Sequence, residues 1–250
     1  MSKVVVITGA ATGLGRATAV KLAKLKLGHK LVIVDFNESD GLTTMNMVKE
    51  LGAEAIFIKA DVSNEDEVKN YVAKAVETFG TIDTFFNNAG LMIPFRLIHE
   101  HDLSEYDRIM NVNVKGAFLG IKYVIPVMLE NDGGTVINTV SSNSYKPTAY
   151  NGLYSATKHA LIAMTKSIGQ DYQEKNIFSV GVAPNTMQTN ISANASVTMN
   201  EEIGKAIFVS TGPNIAATAD EVAEAMLFAM DNGKLLNGST INCAGGQIYT

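Results

Sequence analysis

Short runs of β-branched and aliphatic residues alternate with longer amphipathic stretches along almost the whole chain. Each short run has the length and composition of a β-strand, and each longer stretch carries apolar residues at helical spacing. A chain that repeats strand and helix in this way builds a parallel sheet, because each helix crosses over the sheet before the next strand begins. The sequence therefore predicts an α/β fold in which helices wrap a parallel sheet.

The alternation also predicts where each element lies. Strands are expected at Lys3–Ile7, Leu31–Val34, Ala55–Lys59, Thr84–Phe86, Thr135–Val140, Phe178–Val182 and Thr240–Asn242. Helices are expected at about Leu14–Leu27, Glu38–Leu51, Glu65–Phe79, Ser104–Leu129, Leu153–Glu174 and Ala219–Met230.

One stretch, Thr186–Ala217, breaks the alternation. It combines Asn, Ser, Thr and the pair Gly212–Pro213 with scattered apolar residues, and it is long for a loop between a strand and a helix. Such an insertion favours a lid over a substrate site, although a surface excursion with one short helix is the alternative. Because no linker, repeat or low-complexity tract divides the sequence, we predict a single catalytic domain over residues 1–250.

Composition excludes several classes of partner. The chain is 46% hydrophobic and 18% charged, as is usual for soluble globular proteins, and its net charge of −5 argues against nucleic-acid or anionic membrane partners. Cys243 is the only cysteine, which fits a reducing compartment, and the N-terminal run VVVIT is too short for a signal-peptide core or membrane span. The four histidines are scattered along the sequence and do not form the ligand set of a metal site. We therefore predict a cytoplasmic protein without a metal site.

A glycine-rich turn, TGAATGLG at 8–15, follows the first strand and opens the first helix. Gly9 permits a tight turn, and Gly13 and Gly15 lack the Cβ atoms that would keep a pyrophosphate away from the helix N-terminus. The spacing is G-x-x-x-G-x-G and differs from the commoner G-x-G-x-x-G. Although weak evidence when taken alone, the turn predicts a dinucleotide site.

Asp35 strengthens that prediction. It ends the second strand twenty residues after Gly15 (35 − 15), where a carboxylate accepts hydrogen bonds from an adenosine ribose. A carboxylate there also repels a 2′-phosphate, so NAD is predicted to be preferred over NADP. The alternative role for Asp35 is capping of the next turn. If NADP were the cofactor, Arg16 would be the residue to reach its phosphate.

Three polar residues form a candidate catalytic group. Tyr154 and Lys158 are four apart and share a helix face, and Ser141 ends a strand thirteen residues before Tyr154 (154 − 141). A cation about 6 Å away favours the phenolate, which predicts a tyrosine pKa lowered by roughly two units. Such a phenol serves as a general acid or base. The alternative is a solvated Tyr–Lys pair in which the lysine stem packs on the ring.

Taken together, these motifs resemble the classical short-chain dehydrogenase/reductase family. Besides the glycine turn, Ser141 and YSATK, the resemblance rests on Asp61–Val62, NNAG at Asn87–Gly90, Asn113 in NVNVKG and INCAGG near the C-terminus. It covers essentially the whole chain. The family implies a Rossmann-type, doubly wound fold with a seven-stranded parallel sheet and helices on both faces, assembled as a homotetramer.

The resemblance also implies a role for each catalytic position. Tyr154 would be the catalytic acid/base, and Ser141 would orient the substrate oxygen. Lys158 would lower the tyrosine pKa and bind the nicotinamide ribose, while Asn113 would hold a water that continues a proton relay.

A larger set of residues is implied to hold the cofactor. Asp61 and Val62 would line the adenine site, 88–90 the neighbouring ribose, and Thr189 the nicotinamide carboxamide. The complete predicted set is Gly9, Thr12, Gly13, Leu14, Gly15, Asp35, Phe36, Asp61, Val62, Asn88, Ala89, Gly90, Tyr154, Lys158, Pro184, Met187 and Thr189.

Two positions need the structure to interpret them. The family usually has Pro-Gly after the sixth strand, whereas this chain has Pro184–Asn185. Asparagine tolerates a positive φ, so the turn can survive the replacement. Ser142 stands beside Ser141 at the same strand end, but the spacing to Tyr154 favours Ser141.

The sequence thus predicts an NAD-dependent oxidoreductase that interconverts a secondary alcohol and a ketone. The alternatives are an NADP(H)-dependent carbonyl reductase of the same family, a non-catalytic NAD sensor or scaffold, and a nucleotide-sugar dehydratase or epimerase, which is usually larger. The substrate is a small molecule of unspecified identity. Apolar residues that would line a substrate pocket, or equally belong to the core or a subunit interface, are Met92, Tyr145, Tyr150, Met187, Ile191 and Met199.

Overall fold

A single parallel sheet of seven strands forms the centre of the computed structural model, which describes residues 2–187, 195–211 and 216–243. The strand order is β3-β2-β1-β4-β5-β6-β7. The strands are β1 Val4–Thr8, β2 Lys30–Asp35, β3 Glu54–Lys59, β4 Thr84–Asn87, β5 Gly134–Thr139, β6 Ile177–Pro184 and β7 Thr240–Cys243. The predicted strands and their parallel pairing are confirmed.

Helices cover both faces of the sheet. They are α1 Gly13–Lys24, α2 Glu38–Glu50, α3 Glu65–Phe79, α4 Leu103–Met110, α5 Gly116–Leu129, α6 Gly152–Asp171, α7 Glu201–Thr211 and α8 Ala219–Asp231. Helices α1, α2 and α8 contribute to one apolar core with one face of the sheet, and α3, α5 and α6 contribute to a second core on the other face. The Rossmann-type, doubly wound fold is therefore confirmed.

Burial on both faces explains why the strands read as continuous apolar runs. In β1, Val5 and Ile7 enter the core shared with α1 and α8, while Val6 enters the core shared with α3 and α5. Successive side chains of a strand point to opposite faces, so a sheet covered on both sides needs apolar residues at every position.

The strand order reverses between β1 and β4, and this reversal positions the functional site. Chains leaving the carboxyl ends of these two strands turn to opposite faces of the sheet, which opens a crevice between them. Asn88 bridges the two strand ends, because its backbone N–H donates to Thr8 Oγ1 at 3.0 Å and its Nδ2 donates to the Thr8 carbonyl at 2.9 Å. These two hydrogen bonds hold the ends of β1 and β4 together at the bottom of the crevice.

The predicted helix Ser104–Leu129 is interrupted. It consists of α4, a π-helical turn at Asn111–Lys115, and α5. The apolar periodicity continues across this turn, so the sequence pattern gave no sign of the interruption. Such π turns are frequent at functional sites, and this one carries the predicted catalytic residue Asn113.

The same stretch, Leu103–Leu129, is the one helical segment among the described residues that is long and apolar enough to cross a membrane. Length and composition are weak evidence, because core helices of soluble proteins also meet these criteria. Here 44% of the most apolar window is buried inside the protein, and α5 packs on α3 and β4. The cytoplasmic location stays a prediction.

Candidate active site

A cavity of about 960 Å³ occupies the crevice at the carboxyl edge of the sheet. Its walls come from the segments that follow β1 to β6, from the first turns of α6, and from α7. It brings the glycine turn, Asp35 and the Ser141–Tyr154–Lys158 group to one place, as the sequence predicted.

The turn after β1 is built to receive an anion. Gly9 has a φ of 65°, and a Cβ there would lie 2.8 Å from the Ala89 Cα, so only glycine fits between the two strand ends. Gly13, which begins α1, also has a positive φ, 54°. The N-cap residue Thr12 makes no side-chain capping hydrogen bond. The first amides of α1 are thus open to a ligand, which fits a pyrophosphate.

Gly15 serves a different purpose from the predicted one. A Cβ at this position would overlap the Gly9 carbonyl oxygen and approach the Ala10 Cα to 2.8 Å. Gly15 does not line the cavity, whereas Gly9 and Gly13 do. Its lack of a side chain allows α1 to pack against its own entry turn, and it does not make room for the pyrophosphate.

Asp35 is fixed at the cavity wall by backbone donors. Its Oδ2 accepts a hydrogen bond from the Ala11 N–H and its Oδ1 one from the Asn37 N–H, both at 2.9 Å. A carboxylate has about four acceptor sites, so capacity for ribose hydroxyls remains. The capping alternative and the ribose role are therefore compatible.

Arg16 is engaged elsewhere. Its Nε donates to Thr44 Oγ1 at 2.9 Å, and its Nη2 lies 3.3 Å from the Asp40 carboxylate. It does not line the cavity. A 2′-phosphate near Asp35 would therefore meet a carboxylate and would need Arg16 to break these bonds.

The Tyr154 and Lys158 side chains are both buried, with exposed fractions of 7% and 2%. Both residues lie on α6, as predicted, and the Lys158 Nζ is 5.7 Å from the centroid of the Tyr154 ring. The ammonium donates a hydrogen bond of 2.7 Å to the Thr139 carbonyl at the end of β5. The alternative of a solvated pair is wrong, because burial holds both groups at the cavity.

Burial sets the pKa values of these two groups. It raises the pKa of Tyr154 to about 12, against an opposing hydrogen bond from Ser141, and it lowers the pKa of Lys158 to about 8. The predicted lowering of the tyrosine pKa is therefore wrong for this structure. The sequence argument counted the charge of the lysine but not the removal of the phenol from water.

The two adjacent serines have separate partners. Ser141 begins a short 3₁₀ turn, accepts a hydrogen bond from the Asn143 N–H at 3.2 Å, and hydrogen-bonds Tyr154. Ser142 instead donates to the Asn185 Oδ1 at 3.0 Å. This geometry favours Ser141 as the partner of Tyr154, in agreement with the spacing.

Asn113 is buried in the π turn, and its side chain holds the loop after β4. Its Oδ1 accepts from the Leu91 N–H at 2.9 Å, and its Nδ2 donates to the Leu91 carbonyl at 3.0 Å. Asn113 does not line the cavity. A Cβ at Gly90 would lie 3.4 Å from the Asn113 Oδ1 and 3.6 Å from the Lys158 Nζ, so Gly90 keeps open the space between these two polar groups.

Asn185 replaces the usual glycine without a positive φ. Outside glycine, positive φ among the described residues occurs at Lys26, Asp132, Tyr150 and Asn176. The turn thus does not require the positive φ that asparagine tolerates. Its N–H donates to the Cys243 carbonyl at 3.2 Å, which ties the end of β6 to β7, and its side chain lines the cavity.

Most of the predicted cofactor residues line the cavity, and Thr189, like Ile191, lies outside the described residues. The lining members of that set are Gly9, Thr12, Gly13, Leu14, Asp35, Phe36, Asp61, Val62, Asn88, Ala89, Gly90, Tyr154, Lys158, Pro184 and Met187. The sequence argument missed several polar lining residues between β5 and α6. Their signal was position alone, since Asn143, Thr148 and Asn151 lie in the loop that leads to Tyr154.

Helix α7 covers one side of the cavity. Ile203 packs against Phe95, and Ile207 and Met92 join the same cluster. Ser210 Oγ accepts a hydrogen bond from the Ala149 N–H at 3.1 Å, which links α7 to the loop before α6. The short helix of the alternative interpretation is thus present, and it lies against the cavity; its role as a lid stays a prediction.

Comparison with known proteins identifies close similarities over nearly the whole chain. Residues 3–200 match the family model described as short chain dehydrogenase. An uncharacterised oxidoreductase of Thermotoga maritima is 37% identical over 98% of this chain and 97% of that protein. Levodione reductase of Leifsonia aquatica is 33% identical over 98% of this chain and 94% of that protein.

Solved structures show the same likeness in three dimensions. The crystal structure of levodione reductase superposes with a TM-score of 0.90 at 32% identity, covering 98% of this chain and 96% of that one. The structure of NAD⁺-bound xylitol dehydrogenase gives a TM-score of 0.88 at 27% identity, covering 98% of each chain.

Proposed function

We propose that this chain, which belongs to the short-chain dehydrogenase family of oxidoreductases, uses NAD(H) to interconvert a secondary alcohol and a ketone. The observation that carries the proposal is one cavity that joins an anion-binding helix N-terminus to a buried Ser–Tyr–Lys group. The first element suits a dinucleotide, and the second suits proton transfer at an oxygen.

In alcohol oxidation, Tyr154 takes the proton of the substrate hydroxyl and Ser141 holds the same oxygen by a hydrogen bond. When bound, NAD⁺ would supply the acceptor for the hydride of the carbinol carbon, so that the product is a ketone. In the reverse direction Tyr154 gives its proton to the carbonyl oxygen. Because its pKa is raised to about 12, Tyr154 carries that proton at neutral pH.

Lys158 acts on both partners of the reaction. At neutral pH, below its pKa of about 8, its amine is mostly protonated. Its ammonium keeps one hydrogen bond to the Thr139 carbonyl, so two N–H donors remain for a ribose hydroxyl and for the space beside Gly90. We propose that a water in that space links Lys158 to the π turn that carries Asn113.

The preference for NAD over NADP rests on the surroundings of Asp35. Its carboxylate lines the cavity, and among the described lining residues the cations are Arg108 and Lys158, which lie on α4 and α6. Arg16 is held by Asp40 and Thr44. A similar protein, xylitol dehydrogenase, has been solved with NAD⁺ bound. A carboxylate at this wall, with Arg16 engaged elsewhere, favours the ribose with two hydroxyls.

The proposal is tested by following NADH and NADPH formation from a panel of secondary alcohols, diols, sugars and steroids. Turnover with NAD⁺ at a kcat/KM at least tenfold above that with NADP⁺ is the expected result. A preference for NADP⁺ would support the carbonyl-reductase alternative. Tight NAD binding without turnover of any substrate would support the sensor or scaffold.

Assembly as a homotetramer also stays a proposal. A groove between α5 and α6 is lined by apolar side chains that include Phe118, half exposed, together with Ile121 and Met164. An apolar groove of this kind suits contact with a second copy of the chain. Light scattering at micromolar concentration measures the mass directly, and a monomeric mass would contradict this proposal.

A further inference from the structure

The substrate end of the cavity has two chemically different walls. One wall is apolar and consists of Leu91, Met92, Phe95, Met187, Met199 and Ile207. The other is polar and neutral and consists of Ser142, Asn143, Thr148, Asn151, Asn185 and Thr211. Polar groups in such a wall fix the orientation of a ligand, whereas the apolar wall provides area.

Asn151 stands out in the polar wall. It is buried, with 4% of its surface exposed, yet it lines the cavity. It is the N-cap residue of α6, but its side chain makes no capping hydrogen bond, and its carboxamide has no partner within the described chain. The carboxamide is not among the fully enclosed polar atoms without a partner, so the cavity reaches it, and a ligand oxygen can take the place of water there.

Asn143 provides the contrast within the same wall. Its Oδ1 accepts hydrogen bonds from the Thr148 N–H at 2.9 Å and from the Ser155 Oγ at 3.0 Å. This carboxamide is therefore part of the loop structure. The same residue type thus holds the protein together at one position and faces the cavity without a partner at the other.

Asn151 lies close in the chain to Tyr154, the residue proposed to exchange a proton with the reacting oxygen. Asn151 immediately precedes α6, Tyr154 lies in the first turn of that helix, and both residues line the same cavity. A substrate whose reacting oxygen is held by Tyr154 and Ser141 therefore has the Asn151 carboxamide in the same cavity, where a second oxygen on a nearby carbon can reach it.

Charge narrows the substrate further. The six residues of the polar wall carry no charge; the cations among the described lining residues are Arg108, which lies on α4, and Lys158. The Lys158 ammonium is engaged with the Thr139 carbonyl. A carboxylate or phosphate on the substrate would find no cation on the polar wall, so an uncharged substrate fits best.

On the basis of the proposed function, we infer that Asn151 is a specificity-determining residue that hydrogen-bonds a second oxygen of the substrate. The substrate class is then an uncharged diol or hydroxyketone with that oxygen on a carbon near the reacting carbon. In the oxidation, the carbinol C–H leaves as hydride to NAD⁺ and the O–H proton passes to Tyr154. The second oxygen is bound and not changed.

The test compares matched substrates on matched variants. With NAD⁺, kcat/KM is measured for cyclohexanol, 1,2-cyclohexanediol and 1,3-cyclohexanediol on the wild type, Asn151→Leu and Asn131→Leu. Asn131 is exposed at the end of α5 and controls for the Asn-to-Leu change itself. The wild type is expected to prefer one diol over cyclohexanol, and N151L is expected to lower that ratio about tenfold or more. Any loss common to all three substrates cancels in the ratio.

Thermal unfolding provides a second, independent measurement. Because the Asn151 carboxamide has no partner in the described chain, N151L should melt no lower than the wild type, whereas Asn143→Leu should melt lower. A marked fall in Tm for N151L would show a structural carboxamide and overturn the inference.

The outcomes separate the inference from the function on which it rests. Equal use of cyclohexanol and both diols by the wild type, or an unchanged ratio in N151L, overturns the inference and leaves the proposed function standing. Failure of the wild type to oxidise any alcohol in the wider panel refutes the proposed function and the inference together.

Discussion

In the half of the cavity next to β1 and β2, backbone groups and short-range hydrogen bonds determine the shape of the site. Gly9 fits against Ala89, and the Asp35 carboxylate is held by two backbone N–H groups. In the half next to β5 and α6, buried side chains determine the chemistry, and their pKa values are shifted. The cofactor half thus has a fixed form, whereas the substrate half holds groups whose properties depend on burial.

This difference shows how stability and function are divided. Hydrogen-bonded backbone in the cofactor half contributes to folding as well as to binding. In the substrate half, the buried Lys158 ammonium opposes folding because it loses water without full compensation, and the Asn151 carboxamide makes no hydrogen bond within the described chain that would stabilise the fold. Substitutions in the two halves should therefore have opposite effects on stability.

The largest effect is expected from Lys158→Met, which lies in the substrate half and tests the contrast between the two halves. Turnover should fall by more than about 10³-fold, more than from loss of a single acid–base group, since Lys158 serves both Tyr154 and the cofactor. Affinity for NAD should fall as well. The apparent pKa of the pH–rate profile for any remaining activity should rise.

The same variant should gain stability at pH 7, although its activity falls. The folded-state pKa of Lys158 is lowered from 10.5 to about 8, so its charged form costs about 3 kcal/mol of stability below pH 8. That cost fades as pH rises from 8 towards 10.5. Since K158M removes it and loses one hydrogen bond worth about 1 kcal/mol, the variant should be more stable at pH 7. Lower stability in denaturant titrations, or unchanged activity, would contradict the contrast.

Asp35 tests the cofactor half. Asp35→Ala should reduce the preference for NAD over NADP by about tenfold or more, because both the ribose acceptor and the repulsion of a phosphate are lost. It should also destabilise the turn, since the Ala11 and Asn37 N–H groups lose their acceptor. The measurement is kcat/KM for both cofactors together with Tm.

Two control variants sharpen the Asp35 result. Asp35→Asn keeps the shape of the side chain but removes its charge. It should therefore reduce the preference for NAD over NADP, with a smaller loss of Tm than Asp35→Ala. Arg16→Ala should leave the cofactor ratio unchanged, because Arg16 is bound to Asp40 and Thr44. Loss of NADP use in R16A would indicate that Arg16 reaches the phosphate after all.

The pH dependence tests the substrate half with a smaller effect. The pKa of Tyr154 is raised, so the phenol is protonated at neutral pH, and alcohol oxidation needs the deprotonated form. At saturating NAD⁺, kcat/KM for oxidation should therefore rise with pH, by up to about tenfold per unit, whereas ketone reduction should stay flat over the same range. A plateau for oxidation below pH 7 would show that another group takes the proton.

The sequence predicted the cofactor half well because its requirements are local. A glycine turn after a strand, followed by an acidic residue at the end of the next strand, is recognisable from spacing alone, and the structure brings these residues together. The reason given for Gly15 was nevertheless wrong. Its contact with the Gly9 carbonyl depends on how the helix packs on the turn, which spacing does not reveal.

The substrate half was less predictable because its properties come from tertiary packing. The residues of the Ser141–Tyr154–Lys158 group were recognisable, but the direction of the tyrosine pKa shift depends on burial that no pattern states. The π turn at Asn111–Lys115 lies inside a continuous apolar helical pattern. The partnerless carboxamide of Asn151 is evident only when its neighbours are known.

The central claim is that Tyr154 carries the proton in an NAD-dependent reaction. Its most direct test is NADH formation by Tyr154→Phe and the wild type, with NAD binding measured by titration on the same samples. Only the hydroxyl is lost, so the account predicts a fall in kcat of about 10²–10⁴-fold with nearly unchanged NAD affinity. Activity within about tenfold of the wild type, with the same affinity, would contradict it.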